Sequence, residues 1–250
     1  MKSLDEYRRK RRFSRTPEPA GADARTTGAR RAFSVHKHLA SHLHYDLRLE
    51  HNGVLLSWAV PKGPSLDPRV KRLAMQVEDH PLEYGSFEGV IPEGYGAGIV
   101  LLWDRGTWRP DVDDVDAALL KGDLKFALDG DKLKGSWVLV RTAGRWAGRG
   151  NRSWLLIKHR DEWSGALDIT EVAPQSVRSG GDFEDILAGE TPEVWRAYRP
   201  AGGGQTGRLL AAVVEGAARL KASRAAERRP RQASRDRGGR KTDSTRTRKR

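Results

Sequence analysis

The chain has no cysteine among its 250 residues, which excludes disulfides and thiolate metal sites. It also lacks any apolar run near the ~18 residues that a membrane span needs. Its charged N-terminus has no apolar signal core, so a cytoplasmic protein is the expectation. Acidic residues are in deficit as well: 33 Asp and Glu stand against 46 Lys and Arg, a formal net charge of +13.

The basic excess is confined to the ends. Residues 1–31 carry 10 Lys or Arg and 4 Asp or Glu, residues 201–250 carry 15 and 4, and the segment between is mildly acidic at 21 to 25. Basic ends suit a polyanion, because each Lys or Arg that neutralises a phosphate releases condensed counterions. Nucleic acid is therefore the first candidate. An anionic membrane is disfavoured, since neither end has the aromatic or Leu-rich face that interfacial helices bury.

Between Phe33 and Trp163 the pattern is mostly short strands. Segments 46–50 and 54–60 flank His51-Asn52-Gly53, and Asn-Gly between alternating runs predicts a hairpin. Further strands are expected at 73–78, 98–103, 124–128, 136–141 and 153–159, with one helix at 115–121. That count suggests a barrel or a sandwich. Seven of the eight tryptophans, all but Trp195, fall between Trp58 and Trp163, where core packing explains them better than base stacking. In the arm, 4–12 can form a short basic helix before Pro17, Pro19 and Gly21. After Thr170 the alternation fades and glycines 202–204 begin a linker-like stretch. Segment 209–220 has helical spacing, and the Arg-rich 223–250 reads as disordered.

Four of the seven histidines, His36, His38, His42 and His44, lie in one stretch that runs into Tyr45-Asp46-Leu47-Arg48-Leu49-Glu50. In a strand, His44, Asp46 and Arg48 share a face, with neighbours roughly 6.6 to 7 Å apart. An imidazole and a carboxylate can then meet one cation while Arg48 reaches an anion, and His38, from the preceding loop, completes the set. Two histidines and a carboxylate suit Mn²⁺, with Zn²⁺ or Fe²⁺ as competitors. The bland alternatives are a polar loop for the histidines, and for Arg48 an ion pair with Asp46 or Glu50. His42 is the weakest member. His80, before Pro81, is an ordinary turn residue unless the fold brings it near His38 and Asp46, where it can give a proton or hydrogen bond to a leaving oxygen. The Gly-rich run 93–98 leads into a strand rather than a helix, so it reads as a hairpin turn and not as a phosphate cradle.

The run from Lys37-His38 to Glu50, followed by Trp58-Ala59-Val60-Pro61-Lys62-Gly63-Pro64, resembles the 3′-phosphoesterase domain of bacterial DNA ligase D. Supporting blocks are 77–81 with Tyr84, 87–92 with 95–98, 103–108 and 133–137, so the resemblance spans roughly residues 4–163. It implies a mainly β protein, a compact β-barrel with a few short helices over 32–170; composition sets beside it a basic arm at 1–31, a connecting segment at 171–200 and a basic, largely disordered tail at 201–250. It also implies Mn²⁺-dependent removal of a 3′-terminal ribonucleoside from DNA, then of the 3′-phosphate, during non-homologous end joining. Metal would be held by His38, His44 and Asp46. His80, Arg48 and Tyr84 would be catalytic, Arg48, Lys62, Arg72 and Arg11 would bind substrate, and Glu18 and Glu78 would support them.

Three departures stand out. Arg12 replaces a usual aspartate, His36 stands where glutamine is expected, and the turn at 93–96 is one residue short, without carrying a ligand. No ligase or polymerase block accompanies the domain, so a stand-alone form is expected, serving DNA 3′ ends on primer-templates with a separate ligase, polymerase or end-binding protein. Two other functions compete: a DNA-end-binding scaffold with weakened catalysis, and a non-haem iron oxygenase, which uses the same ligand types. Deleting 223–250 is expected to weaken DNA affinity and flatten its salt dependence while sparing turnover at saturating DNA. Binding titrations across a salt series check this, and an unchanged slope would show that the tail does not touch phosphate.

Overall fold

Period-two alternation sends Phe33, Val35 and Leu39 inward from β1 (Arg31–Leu39), Tyr45, Leu47 and Leu49 from β2 (Leu43–His51), and Leu56, Trp58 and Val60 from β3 (Val54–Val60). The remaining strands are β4 (Lys71–Gln76), β5 (Gly89–Ile91), β6 (Gly98–Pro110), β7 (Asp123–Gly130), β8 (Lys134–Arg141) and β9 (Ser153–Lys158). These come from a computed structural model that describes residues 4–21, 31–143, 151–190 and 205–236, with side chains in the last segment over 206–226.

The antiparallel order β1-β2-β3-β4-β9-β8-β7-β6 closes through pairing of β6 with β1, giving an eight-stranded barrel, and β5 adds to β6 outside the ring. Closure leaves no open edge on the ring itself. Trp58, Trp103, Trp137 and Trp154 are fully buried in the core, Trp108 nearly so, while Trp163 is half exposed. Trp146 and Trp195 lie outside the described residues, as do 22–30, the glycines at 202–204 and 237–250. Among the described residues no helix is long and apolar enough to cross a membrane.

Several expectations hold. The 52–53 turn has positive φ at both residues, 52° at Asn52 and 81° at Gly53, the backbone that a two-residue hairpin needs. Helix α2 (Val115–Lys121) starts at Asp114, whose side chain accepts from the Ala117 N–H, and stops at left-handed Gly122. The 92–97 segment is indeed the connection of the β5–β6 hairpin.

Others need correction. His38 is not in a loop: it lies in β1, a strand hidden in the sequence because His36, Lys37 and His38 are polar on both faces yet buried. Strand β6 runs seven residues past the expected end at 103, and a register shift gives it one extra residue, Trp103, opposite the Val35/His36 step. Within the tail expected to be largely disordered, a helix covers Gln205–Asp236, and the rest of 201–250 lies outside the described residues. Numbering helices in chain order, with α1 (Asp5–Arg9), α3 (Ile169–Val172) and α4 (Phe183–Gly189), this is α5. Its Leu210, Val213 and Ala217 are buried in the core cluster with Phe183 and Leu187 of α4, so a stripe of small apolar residues outweighs the surrounding charge.

The inward position of Lys37 ties this C-terminal layer to the barrel: its Nζ donates to Asp182 Oδ1 at 3.1 Å and lies 4.7 Å from the Phe183 ring centre. Val213→Asp would bury an unpaired charge there and is expected to cost roughly 3 kcal/mol. Urea unfolding measures it, and an unshifted midpoint would mean that α5 does not dock.

Candidate metal and phosphate site

The face of β1 and β2 that points away from the core carries the chemistry. Antiparallel register sets His38 opposite His44, His36 opposite Asp46 and Ser34 opposite Arg48. Imidazole and carboxylate atoms of His38, His44 and Asp46 come within 4.8 Å of one another. His38 Nδ1 lies 3.9 Å from Asp46 Oδ2, and His44 Nε2 lies 3.6 Å from Asp46 Oδ1.

The opposite nitrogen of each histidine is engaged by backbone. His38 Nε2 donates to the Gly96 carbonyl at 3.0 Å, and His44 Nδ1 to the His42 carbonyl at 3.0 Å. Those bonds select the tautomers whose lone pairs face Asp46, the arrangement that metal-binding histidines use. The donor set therefore fits a borderline divalent ion with positions left for water and substrate. His42 contributes its carbonyl rather than its ring. The 92–97 turn carries no metal ligand but does carry the acceptor that orients His38, and a Cβ added to Gly98 at its end would stand 2.8 Å from His38 Nε2.

Arg48 is held on three sides. Its Nη2 donates to Asp46 Oδ2 at 3.1 Å, its Nη1 to Ser57 Oγ at 2.8 Å and its Nε to His36 Nδ1 at 3.3 Å. Its guanidinium carbon also lies 4.5 Å from the Tyr84 ring centre. Burial pushes the Asp46 carboxyl up, but Arg48, His44 and His38 together hold it well below the usual range. His36 is not a stray ligand: burial, then Arg48, push it down to about 3, so it stays neutral and accepts.

His80 joins the site through a short bridge that pairs it with Leu55 of β3. Its Nε2 is 3.2 Å from Arg11 Nη2, and its Nδ1 is 2.9 Å from the Glu78 carbonyl. A guanidinium can only donate, so Nε2 accepts and Nδ1 carries the proton. Burial, with Arg48 and Arg11 nearby, holds His80 well below its ordinary pKa. In this state Nε2 can take a proton, and only after doing so has one to give to a leaving oxygen.

Arg11, expected to bind substrate, is itself locked by Glu18 at 2.8 Å and Glu78 at 3.1 Å, so the three form one buried network. These residues, the metal triad, Arg48, His80 and Tyr84 line one cavity of about 600 Å³. Lys62 and Arg72 do not line it. Lys62 is exposed in the turn after β3. Arg72 shares the face of β4 that carries buried Ala74, whereas the cavity residue Ala59 pairs with Met75 on the opposite face, and the Arg72 charge acts on Asp168 instead.

Sequence reasoning missed Ser57, Tyr7 and Lys10. Ser57 on β3 is paired directly with Arg48, so period-two reasoning about the hairpin could have found it. Tyr7 is fully buried, donates to the Pro19 carbonyl at 2.7 Å, and sets its ring 3.8 Å from the Arg11 guanidinium. Lys10 reaches Glu78 Oε2 at 3.0 Å. The Lys10 contact spans 68 residues and nothing local signals it, whereas Tyr7 and Arg11 stand at i,i+4 spacing, a local signal that could have paired them.

A family model described as the DNA ligase D 3′-phosphoesterase domain matches residues 36–141. The chain is 51% identical over 210 residues to the multifunctional non-homologous end joining protein LigD of Pseudomonas aeruginosa, covering 82% of this chain and 24% of that one. It is 46% identical over 145 residues to the protein of the same name from Mycobacterium bovis, covering 57% and 19%, and 38% identical over 167 residues to that of Mycolicibacterium smegmatis, covering 64% and 21%. It thus spans about a quarter of the length of these curated relatives or less.

Three buried histidines, His36, His38 and His80, have lowered pKa values. Unfolded, each binds a proton near pH 6.5. The unfolded state then holds more protons below that pH, so stability falls as the solution is acidified, down to about pH 3 for His36. His36→Gln, which keeps an acceptor for Arg48, is expected to flatten this dependence by about 1 kcal/mol per pH unit on average between pH 7 and 5. Urea unfolding in EDTA between pH 7 and 5 tests it, and an unaltered slope would mean that His36 is not held neutral.

Proposed function

This chain belongs, through residues 36–141, to the DNA ligase D 3′-phosphoesterase domain family, and on that premise we propose that it is a metal-dependent phosphoesterase that heals DNA 3′ ends for end joining. The reaction is hydrolysis of the phosphodiester bearing a 3′-terminal ribonucleoside, then of the remaining 3′-phosphate, leaving a 3′-hydroxyl for a ligase or polymerase. The observation that carries the reading is the convergence of His38, His44, Asp46, Arg48 and His80 on one cavity.

His38 Nδ1, His44 Nε2 and the Asp46 carboxylate would hold the ion, Mn²⁺ in this reading. Such an ion supplies Lewis-acid stabilisation of phosphate charge and acidifies water. Arg48 meets the phosphate as a rigid cation: Ser57 and His36 fix its plane, so little freedom is lost when two phosphate oxygens bind. Preorganised positive charge of this kind stabilises the oxygens as they gain charge during attack. Arg11 adds a second cation beside His80.

His80 moves the proton. As Arg11 turns from Nε2 to the phosphate and water oxygen bonds to phosphorus, Nε2 takes a water proton, and the phosphorus–oxygen bond to the ribonucleoside breaks. The proton gained at Nε2 is then available to the departing oxygen. In the second hydrolysis the bond to the 3′-oxygen breaks, releasing inorganic phosphate. The scaffold alternative drew its support from Arg12, a side chain that is exposed and outside the triad, while the triad itself stands assembled.

A 5′-labelled primer-template ending in one ribonucleotide, incubated with Mn²⁺, tests the proposal on a gel. Wild type is expected to give a 3′-phosphate and then a 3′-hydroxyl product, and His44→Ala to lose about a hundredfold in rate. Intact substrate with Mn²⁺, Zn²⁺ and Fe²⁺ alike, with DNA still bound, would return the scaffold reading.

A further inference from the structure

A second concavity, of about 330 Å³, opens between the arm and the 92–97 turn, and its walls include Lys10, Arg12, Arg15 and Tyr95. It is continuous with the metal cavity, because Arg11, Glu18, Glu93, Gly94 and Tyr95 line both. Tyr95 stands at the junction with 49% of its surface exposed, and Lys10 Nζ lies 4.6 Å from its ring centre.

Most charges in this groove are matched. Lys10 is paired with Glu6 and Glu78, and Arg11 with Glu18 and Glu78. Arg15 meets Glu93 at 2.9 Å, in a pair more than half exposed on both sides. Arg12 differs: it is exposed, and among the described residues its side chain has no ion pair or hydrogen bond.

We infer that this groove is a nucleotide subsite, in which Tyr95 stacks the base of the nucleoside on the 5′ side of the scissile phosphate and Arg12 binds that nucleoside's own 5′-phosphate. The inference rests on the 3′-end reading above and adds the direction in which the strand lies. A 3′-terminal ribonucleoside carries no phosphate beyond the scissile one, so along the cleaved strand a second cationic groove beside the metal cavity finds its anion upstream. Stacking on a tyrosine tolerates any base, since every base has a π face, which suits an enzyme that meets arbitrary ends. Arg15 can turn to the same phosphate, because an exposed ion pair such as Arg15–Glu93 contributes little to stability.

The test uses the full chain and a fluorescein-labelled single strand ending in one ribonucleotide. Anisotropy across a salt series in EDTA reads binding, and turnover with Mn²⁺ reads KM. Tyr95→Ala and Arg12→Ala are each expected to raise the dissociation constant and KM about five- to tenfold, with Tyr95→Phe retaining the affinity. Arg12→Ala should also lower the salt slope by about 0.7, the loss of one phosphate contact on a single strand. A dinucleoside monophosphate, which has the stacked base but no upstream phosphate, should keep the Tyr95→Ala defect and lose the Arg12→Ala one. Variants that bind and turn over like wild type, with an unchanged salt slope, overturn the subsite and leave the hydrolase standing. A wild type that cleaves no 3′ end, while both variants lose binding, overturns the hydrolase and leaves the groove as a strand-binding site.

Discussion

The ion pair between Asp46 and Arg48, two residues apart on one face of β2, is the interaction on which the site depends. Both side chains are buried, and their closest atoms are 3.1 Å apart. A buried charge is tolerable only when paired and hydrogen-bonded, so each needs the other. Asp46 is thereby kept ionised and able to meet a cation, and Arg48 is kept aligned to meet an anion. The pair prepares opposite partners side by side, which is what a metal-bound phosphate presents.

Around this pair the protein adds layers of decreasing locality. Ser57 and His36, on the flanking strands, set the guanidinium plane, and backbone carbonyls from Gly96 and His42 set the two imidazoles. Farther out, the arm brings Tyr7, Lys10 and Arg11 against Glu78 and His80. Arg11 there has a dual effect: it closes the cavity wall and, by donating to Nε2, determines where the His80 proton resides.

Legibility in the sequence follows the same gradient. His44, Asp46 and Arg48 were readable because strand alternation is a local rule, and the 52–53 turn and α2 because Asn-Gly, an Asp cap and a terminal Gly act within a few residues. Strand β1 was obscured because Lys37 faces inward, where an apolar residue would have completed the alternation, and is accommodated by Asp182, 145 residues away. Arg72 and Lys62 were assigned by resemblance alone, and strand parity turns Arg72 from the cavity. In the arm, Arg11 and Glu18 were named by resemblance alone, and Lys10 could not be read, since it and Glu78 meet 68 residues apart.

Strand β1 also serves two compartments at once. His36 and His38 look outward to the chemistry, while Lys37 between them looks inward and grips Asp182 at the mouth of α4, against which α5 is packed. The C-terminal helices therefore act as a mechanical backstop for the strand that carries His36 and His38. A force that lifts them reaches the barrel through Lys37 as well as through the apolar contacts of α4, so the peptide units that set His36 and His38 are tethered to the C-terminal helices.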